Sequence, residues 1–195
     1  MDIFLESERL ILRRFTQDDV DNLFELDSNP EVMRFVGGKS TPREAVVTQF
    51  LPAYLDYYRR GDRYGFWAAI EKSSGDFLGW FHFRPLEAAE PNEAELGFRL
   101  HTAAWGRGYA TEGSLALVNK GFRELGVETV VASCFAANVA SRRVLEKAGL
   151  TLIRTYDHSS AELGEGLAVE YALTKIDWER QNDAGTNASQ QRTLG

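Results

Sequence analysis

Trp105-Gly106-Arg107-Gly108-Tyr109-Ala110-Thr111-Glu112 forms a glycine-rich turn between a strand-like segment, Ala94 to Leu100, and a long helical pattern, Arg107 to Leu125. Two glycines let the backbone approach a ligand closely. The first-turn N–H groups of the helix, unpaired and backed by the positive dipole end, make an anion site suited to a phosphate. On the Gly-x-Gly pair alone, an ordinary tight strand-to-helix connection explains the turn equally well. A Walker loop would need Gly-Lys-Ser/Thr, where Tyr109-Ala110 follows Gly108. A dinucleotide fingerprint would need a third Gly or Ala where Thr111 stands. Neither motif is present.

Working outward, Phe66 to Glu71, Phe77 to Arg84 and Ala94 to Leu100 are short apolar segments separated by Ser73-Ser74-Gly75-Asp76 and by a Pro85 to Pro91 loop, which predicts an antiparallel meander. Upstream, Arg9 to Phe15 reads as a first strand. Thr16 then caps a helix to about Ser28, closed by Asn29-Pro30. A second helix is predicted from Thr41-Pro42 to Arg60-Gly61, with Pro52 kinking or dividing it. Downstream, the long helix carries Leu115, Val118, Phe122 and Leu125 on one face and turns over at Gly126. Thr129 to Phe135 is a strand, Asn138 to Lys147 a helix closed by Gly149, and Thr151 to Tyr156 and Ala168 to Thr174 are final strands. The expected architecture is α/β, a mixed sheet with helices on both faces. No repeat or linker divides it, so residues 1–178 are expected to form one domain and the polar residues 179–195 a disordered tail.

The 195 residues are 44% hydrophobic, enough for a core, and carry 22 Lys plus Arg against 29 Asp plus Glu, a formal charge of −7. That sign argues against gripping nucleic acid through the overall field. The single cysteine, Cys134, excludes an internal disulfide and fits a reducing compartment. The start has no basic and apolar leader, and no run of about 18 apolar residues occurs, so a soluble cytoplasmic protein without membrane partner is expected. His82, His101 and His158 show no ligand spacing, and no metal is expected. Trp80 and His82 share an alternation with Leu78 and are candidates to line a pocket.

A second constellation is Asn138-Val139-Ala140-Ser141-Arg142-Arg143-Val144-Leu145-Glu146-Lys147-Ala148-Gly149-Leu150. Asn138 stands at an N-cap and Ser141 three residues on, both at the positive end of a helix that follows a strand. With the glycine turn about 30 residues earlier, Glu8-Arg9-Leu10-Ile11-Leu12-Arg13, Asn29 to Phe35, Glu95-Leu96-Gly97-Phe98-Arg99-Leu100 and the closing Tyr171-Ala172-Leu173-Thr174 with Trp178, the chain resembles the GCN5-related N-acetyltransferases (GNAT), in the ribosomal-protein N-terminal acetyltransferase (RimJ/RimL-like) branch.

The resemblance implies a single-domain GNAT fold, mostly antiparallel and splayed in the middle, binding acetyl-CoA as co-substrate. Its pyrophosphate would lie on Gly106, Arg107, Gly108, Tyr109, Ala110 and Thr111. Its pantetheine would lie between the strand ending Phe98-Arg99-Leu100 and the strand Thr129 to Phe135, near Asn138 and Ser141. Trp105 departs from the Arg or Gln usual three residues before Gly108. Direct attack by an amine needs a base, since amines start protonated. Glu95 is the candidate, with Glu162, Glu165 and Glu170 as alternatives. Arg99 lies about 13 Å away along the strand, too far to pair with Glu95. Many relatives have a Tyr proton donor where this chain has Leu145, so Ser141 is the candidate donor, with capping as its other role. The acceptor is expected to be a protein N-terminus or small-molecule amine, and the assembly a monomer or homodimer. A CoA-binding sensor without catalysis is the alternative function.

Overall fold

The computed structural model describes residues 2–61, 63–85, 92–160 and 164–183. Eight strands form one sheet in the order β1-β2-β3-β4-β5-β6-β8-β7. They are β1 (Ile3–Glu6), β2 (Leu10–Arg14), β3 (Gly65–Glu71), β4 (Phe77–Arg84), β5 (Glu93–Leu100), β6 (Thr129–Phe135), β7 (Thr151–Ser160) and β8 (Gly164–Thr174). Every neighbouring pair is antiparallel except β5 and β6. A parallel pair needs a crossover, and the helix opened by the glycine turn supplies it.

That pair is short. Glu93, Ala94 and Glu95 pair with Thr129, Val130 and Val131; beyond them β5 runs on to Leu100 and β6 to Phe135 without pairing each other. The sheet opens there, as expected.

Helices cover both faces. On one side α1 (Val20–Ser28), α2 (Pro30–Met33), α3 (Arg43–Ala45) and α4 (Leu51–Tyr57) surround a core that includes Leu23, Leu26, Leu51, Tyr54, Phe66 and Trp80. On the other, α5 (Tyr109–Arg123) and α6 (Val139–Lys147) bury Leu117, Val118, Phe122 and Leu145 against Phe81, Phe83 and Leu96. A further helix, α7, covers 175–183, so regular structure continues past Trp178. The remainder of the expected tail, 184–195, lies outside the described residues, as do most of the Pro85 to Pro91 loop and Glu162.

Several local expectations change. The helix expected from Thr41 onward bends through a π-turn over Val46–Phe50, where Leu51 N–H reaches back five residues to Val46 C=O. Pro52 has no N–H to give, and widening the turn just before it lets the chain stay helical. Thr16 caps a 3-10 turn, Gln17–Asp19, before α1 begins, and its N–H donates to Asp19 Oδ2 at 2.8 Å. Leu115 is exposed, whereas Leu117 is fully buried. The buried stripe of α5 runs through Gly113, Ser114, Leu117, Val118, Gly121 and Phe122, leaving Leu115 at its margin.

Candidate active site

His101 N–H donates to Leu78 C=O across β4 and β5 at 2.9 Å. Because backbone groups alternate along a strand, Glu95, Gly97 and Arg99 also turn their N–H and C=O toward β4, while Leu96, Phe98 and Leu100 turn theirs toward β6. Past Glu95 there is no β6 pairing, so Phe98 and Leu100 present main-chain groups to the opening. The indole Nε1 of Trp105 donates to Leu100 C=O at 2.9 Å and ties the glycine turn to the strand end. Arg99 is directed elsewhere. Its backbone bonds toward β4, and its guanidinium bonds Asp27 at 2.5 Å and lies over the Trp80 ring.

At the mouth of the opening, Gly106 and Gly108 have φ of 71° and 86°, left-handed values that a side chain resists. Gly108 is the N-cap of α5, and the Glu112 N–H to Gly108 C=O bond (2.9 Å) begins the helical ladder. The amides of Tyr109, Ala110 and Thr111 stand ahead of it, the arrangement that suits an anion. Side chains brace this turn. Glu112 accepts from Ser7 Oγ, Arg9 N and Arg9 Nε, each at 2.7 Å, and Arg9 NH1 donates to Arg107 C=O at 3.0 Å. Burial pushes the Glu112 carboxyl up, but those bonds together hold it below the usual carboxylate range. The Tyr109 hydroxyl bonds Glu71, which also pairs with Arg107 at 3.3 Å. A Cβ on Gly108 would lie 3.3 Å from Arg9.

Across the opening, Asn138 accepts from Ser141 N–H at 3.1 Å and caps α6. Near it on β6 is Cys134, half-buried. Burial pushes that thiol up to about 11, only partly offset by Arg142 and Ser141, so it stays protonated and a poor nucleophile at neutral pH. Leu145 is buried.

Glu95 lies on the α1/α4 side of the sheet. Directly opposite on β4, Arg84 donates to its Oε2 from Nε at 2.8 Å and pairs through NH2 at 2.7 Å. Arg99, along the same strand, is not its partner; the pair forms across strands instead. Among the alternative carboxylates, Glu170 is bound by Arg154 (2.9 and 2.5 Å) and Glu165 is exposed at the far hairpin. Trp80 and His82 share the face of Glu95, but Leu78 does not: the register shift at Ala69/Ile70 sends it to the α5 core. Among the described residues no group of three or more His, Cys, Asp or Glu could hold a metal, and a cavity of about 270 Å³ lined by Phe4, Tyr58, Trp67 and Lys120 lies at the β1 end, away from the opening.

Residues 9–151 match the family described as the acetyltransferase (GNAT) domain. The chain belongs to the GNAT acetyltransferases. It is 31% identical over 188 residues, 90% of this chain and 78% of the relative, to the FsC-acetyl coenzyme A-N(2)-transacetylase of Aspergillus fumigatus. It is 31% identical over 147 residues, 74% of this chain and 81% of the relative, to the uncharacterized N-acetyltransferase YoaA of Bacillus subtilis. In fold it is similar to a ribosomal L7/L12 α-N-protein acetyltransferase, RimL, solved with coenzyme A (TM-score 0.75, 20% identity, covering 89% of this chain and 98% of that one).

As a GNAT acetyltransferase it is an acetyl-CoA-dependent acyltransferase acting on an amine, and acetyl-CoA is the family's co-substrate. The residues at the opening fit that molecule. Left-handed glycines and unladdered helix amides suit a pyrophosphate, and outward-turned main-chain groups of Phe98 suit an extended amide-bearing arm. Among the described residues no helix is long and apolar enough to cross a membrane.

Proposed function

We propose that this GNAT acetyltransferase acetylates a primary amine, a protein N-terminus or small molecule, by direct attack at the opening between β5 and β6. The observation that carries the reading is the end of β5–β6 pairing at Glu95, which sets a carboxylate on the α1/α4 face beside a gap lined with unpaired main chain. The backbone of Phe98 and Leu100, and the amides of Tyr109, Ala110 and Thr111 with Gly106, Arg107 and Gly108, hold acetyl-CoA, which supplies the activated acetyl thioester. Asn138 fixes the α6 turn from which Ser141 reaches in.

Glu95 Oε2 takes the proton of the acceptor's ammonium, leaving a neutral amine. Phe98 N–H polarises the carbonyl under attack. Ser141 Oγ–H passes its proton to the departing sulfur, in place of the Tyr that Leu145 replaces, and is restored by the second N–H proton that the attacking nitrogen gives up on becoming an amide. On the acceptor wall Glu95 and Asp27 are each paired with an arginine, which favours a singly charged amine over a polycation. The lone cysteine supports a reducing, cytoplasmic setting.

The test is release of free CoA thiol from acetyl-CoA with a seryl tetrapeptide, spermidine and kanamycin as acceptors. Release with the peptide above the others supports the reading. Acetyl-CoA binding with no release from any acceptor would instead fit a cofactor sensor.

A further inference from the structure

His82 projects from β4 onto the α1/α4 face, and its β5 partner is Gly97. The pairing explains the glycine: a Cβ on Gly97 would lie 2.4 Å from His82 Nε2 and 2.5 Å from Cε1. The imidazole therefore lies across β5 at a residue beyond the last β5–β6 pair, where the sheet has already opened. Its ring stacks on Trp80 and meets Phe66 edge-on. Both ring nitrogens are buried and neither has a hydrogen-bond partner. Leaving such a group unsatisfied is costly, so a buried unpaired imidazole beside a reaction site calls for a reason.

Glu95 Oε2 lies 3.6 Å from His82 Nε2. That exceeds a hydrogen bond, as expected of two proton acceptors facing each other with no proton between them. The other charged and titratable groups around the ring are Arg84 on its own strand, Arg99 of β5 with its partner Asp27 of α1, and Tyr54 and Tyr57 of α4. Burial first, then Arg84 and Arg99, hold the imidazole well below its ordinary pKa, so it rests neutral. Arg84 meanwhile holds Glu95 Oε2 with two nitrogens, so that oxygen is fixed facing the ring.

Resting on the assignment of Glu95 as the carboxylate that meets the acceptor, we propose that His82 is a positioning residue and second proton site acting through Glu95, with Nε2 and Oε2 sharing the proton given up by the acceptor's ammonium. The ammonium N–H bond breaks and its electron pair stays on nitrogen for attack. The proton forms an O–H bond at Oε2 and passes to the Nε2 lone pair, giving an imidazolium hydrogen-bonded to the carboxylate. It leaves to solvent after transfer, restoring the neutral ring. The Nδ1–H tautomer leaves that lone pair available.

Thiol release is measured from pH 6 to 10 for wild type, His82→Gln and His82→Phe with acetyl-CoA and a seryl tetrapeptide, spermidine or kanamycin. The imidazole midpoints of the three histidines are followed by NMR in wild type and Glu95→Gln. Phe keeps the ring packing on Trp80 and Phe66 but holds no proton. Both variants should lose about 10-fold or more in kcat at pH 7, with little change in the KM for acetyl-CoA, and the loss should shrink toward the amine's pKa. Gly97→Ala, which displaces the ring and leaves Glu95 in place, should behave alike. Glu95→Gln should lower the His82 midpoint and leave His101 and His158 where they were. A His82→Phe curve parallel to wild type, or an unmoved His82 midpoint, overturns the proposal. Wild-type inactivity on all three acceptors would count against the acetyl-transfer assignment instead, and the NMR arm would still decide whether the pair exists.

Discussion

Arg9 and Glu112 join the first half of the sheet to the helix that opens the cofactor turn: Arg9 donates its backbone N–H and its Nε to the two carboxylate oxygens, each at 2.7 Å, and its NH2 pairs at 2.7 Å. The same guanidinium reaches Arg107 C=O, so one side chain fixes both the helix start and the turn before it. The clamp holds the two left-handed residues of the glycine turn in register with the first half of the sheet.

Glu112→Gln should therefore cost about 1–2 kcal/mol of stability at pH 7, a modest value because Arg9 is 42% exposed. The Glu112 pKa is depressed in the folded state, so its contribution is complete above the ordinary value of 4.5 and is lost as pH falls through the lower folded value. Urea unfolding of wild type and variant should accordingly differ at pH 7 and converge only once the pH has fallen below the depressed folded-state pKa.

Gly113 and Gly121 lie on the buried face of α5, where added Cβ atoms would come 2.3 Å from Phe81 Cζ and 2.7 Å from Phe83 Cζ. On helix propensity alone Gly113→Ala gains about 1 kcal/mol. Overpacking against a fully buried ring costs about 1–3 kcal/mol, and it should win. Thermal unfolding should show a lowered Tm for Gly113→Ala.

Asn138 and Ser141 separate capping from chemistry. Asn138→Ala removes the acceptor for Ser141 N–H and should cost about 1 kcal/mol of stability. Ser141→Ala keeps that backbone bond, so its stability and acetyl-CoA affinity should stay near wild type while kcat falls. Equal kcat in Ser141→Ala would leave the residue a structural role only.

Glu95→Gln should lower kcat/KM by about 10²- to 10⁴-fold at neutral pH, with recovery relative to wild type as the acceptor amine approaches its own pKa. A constant deficit at every pH would make Glu95 an anchor for Arg84.

Much of this was legible in the sequence because the signals are local. The glycine turn, the Asn138 cap and the meander are each written in adjacent residues, and the splay beside the Ala94 to Leu100 strand followed from the family they resemble. An interruption at Pro52 was expected, but its form was not: only the structure shows a π-turn over Val46–Phe50 through which the helix survives the proline. Strand β1 was too short and too half-buried to show a pattern. Register hid the rest. The Arg84–Glu95 pair joins residues on different strands, and the shift that removes Leu78 from the face of Trp80 is a bulge that no alternation of residues reveals.

The central claim is that acetyl-CoA lies in the opening beyond Glu95, on the main chain of β5 and the first turn of α5. Amide hydrogen exchange by NMR, with and without acetyl-CoA, tests it most directly. Protection should rise at Phe98, Tyr109, Ala110 and Thr111, while Gly97 and Arg99, already bonded toward β4, change little. Unchanged exchange at Phe98 and Thr111, with new protection around Phe4 and Trp67 at the β1 end, would contradict it.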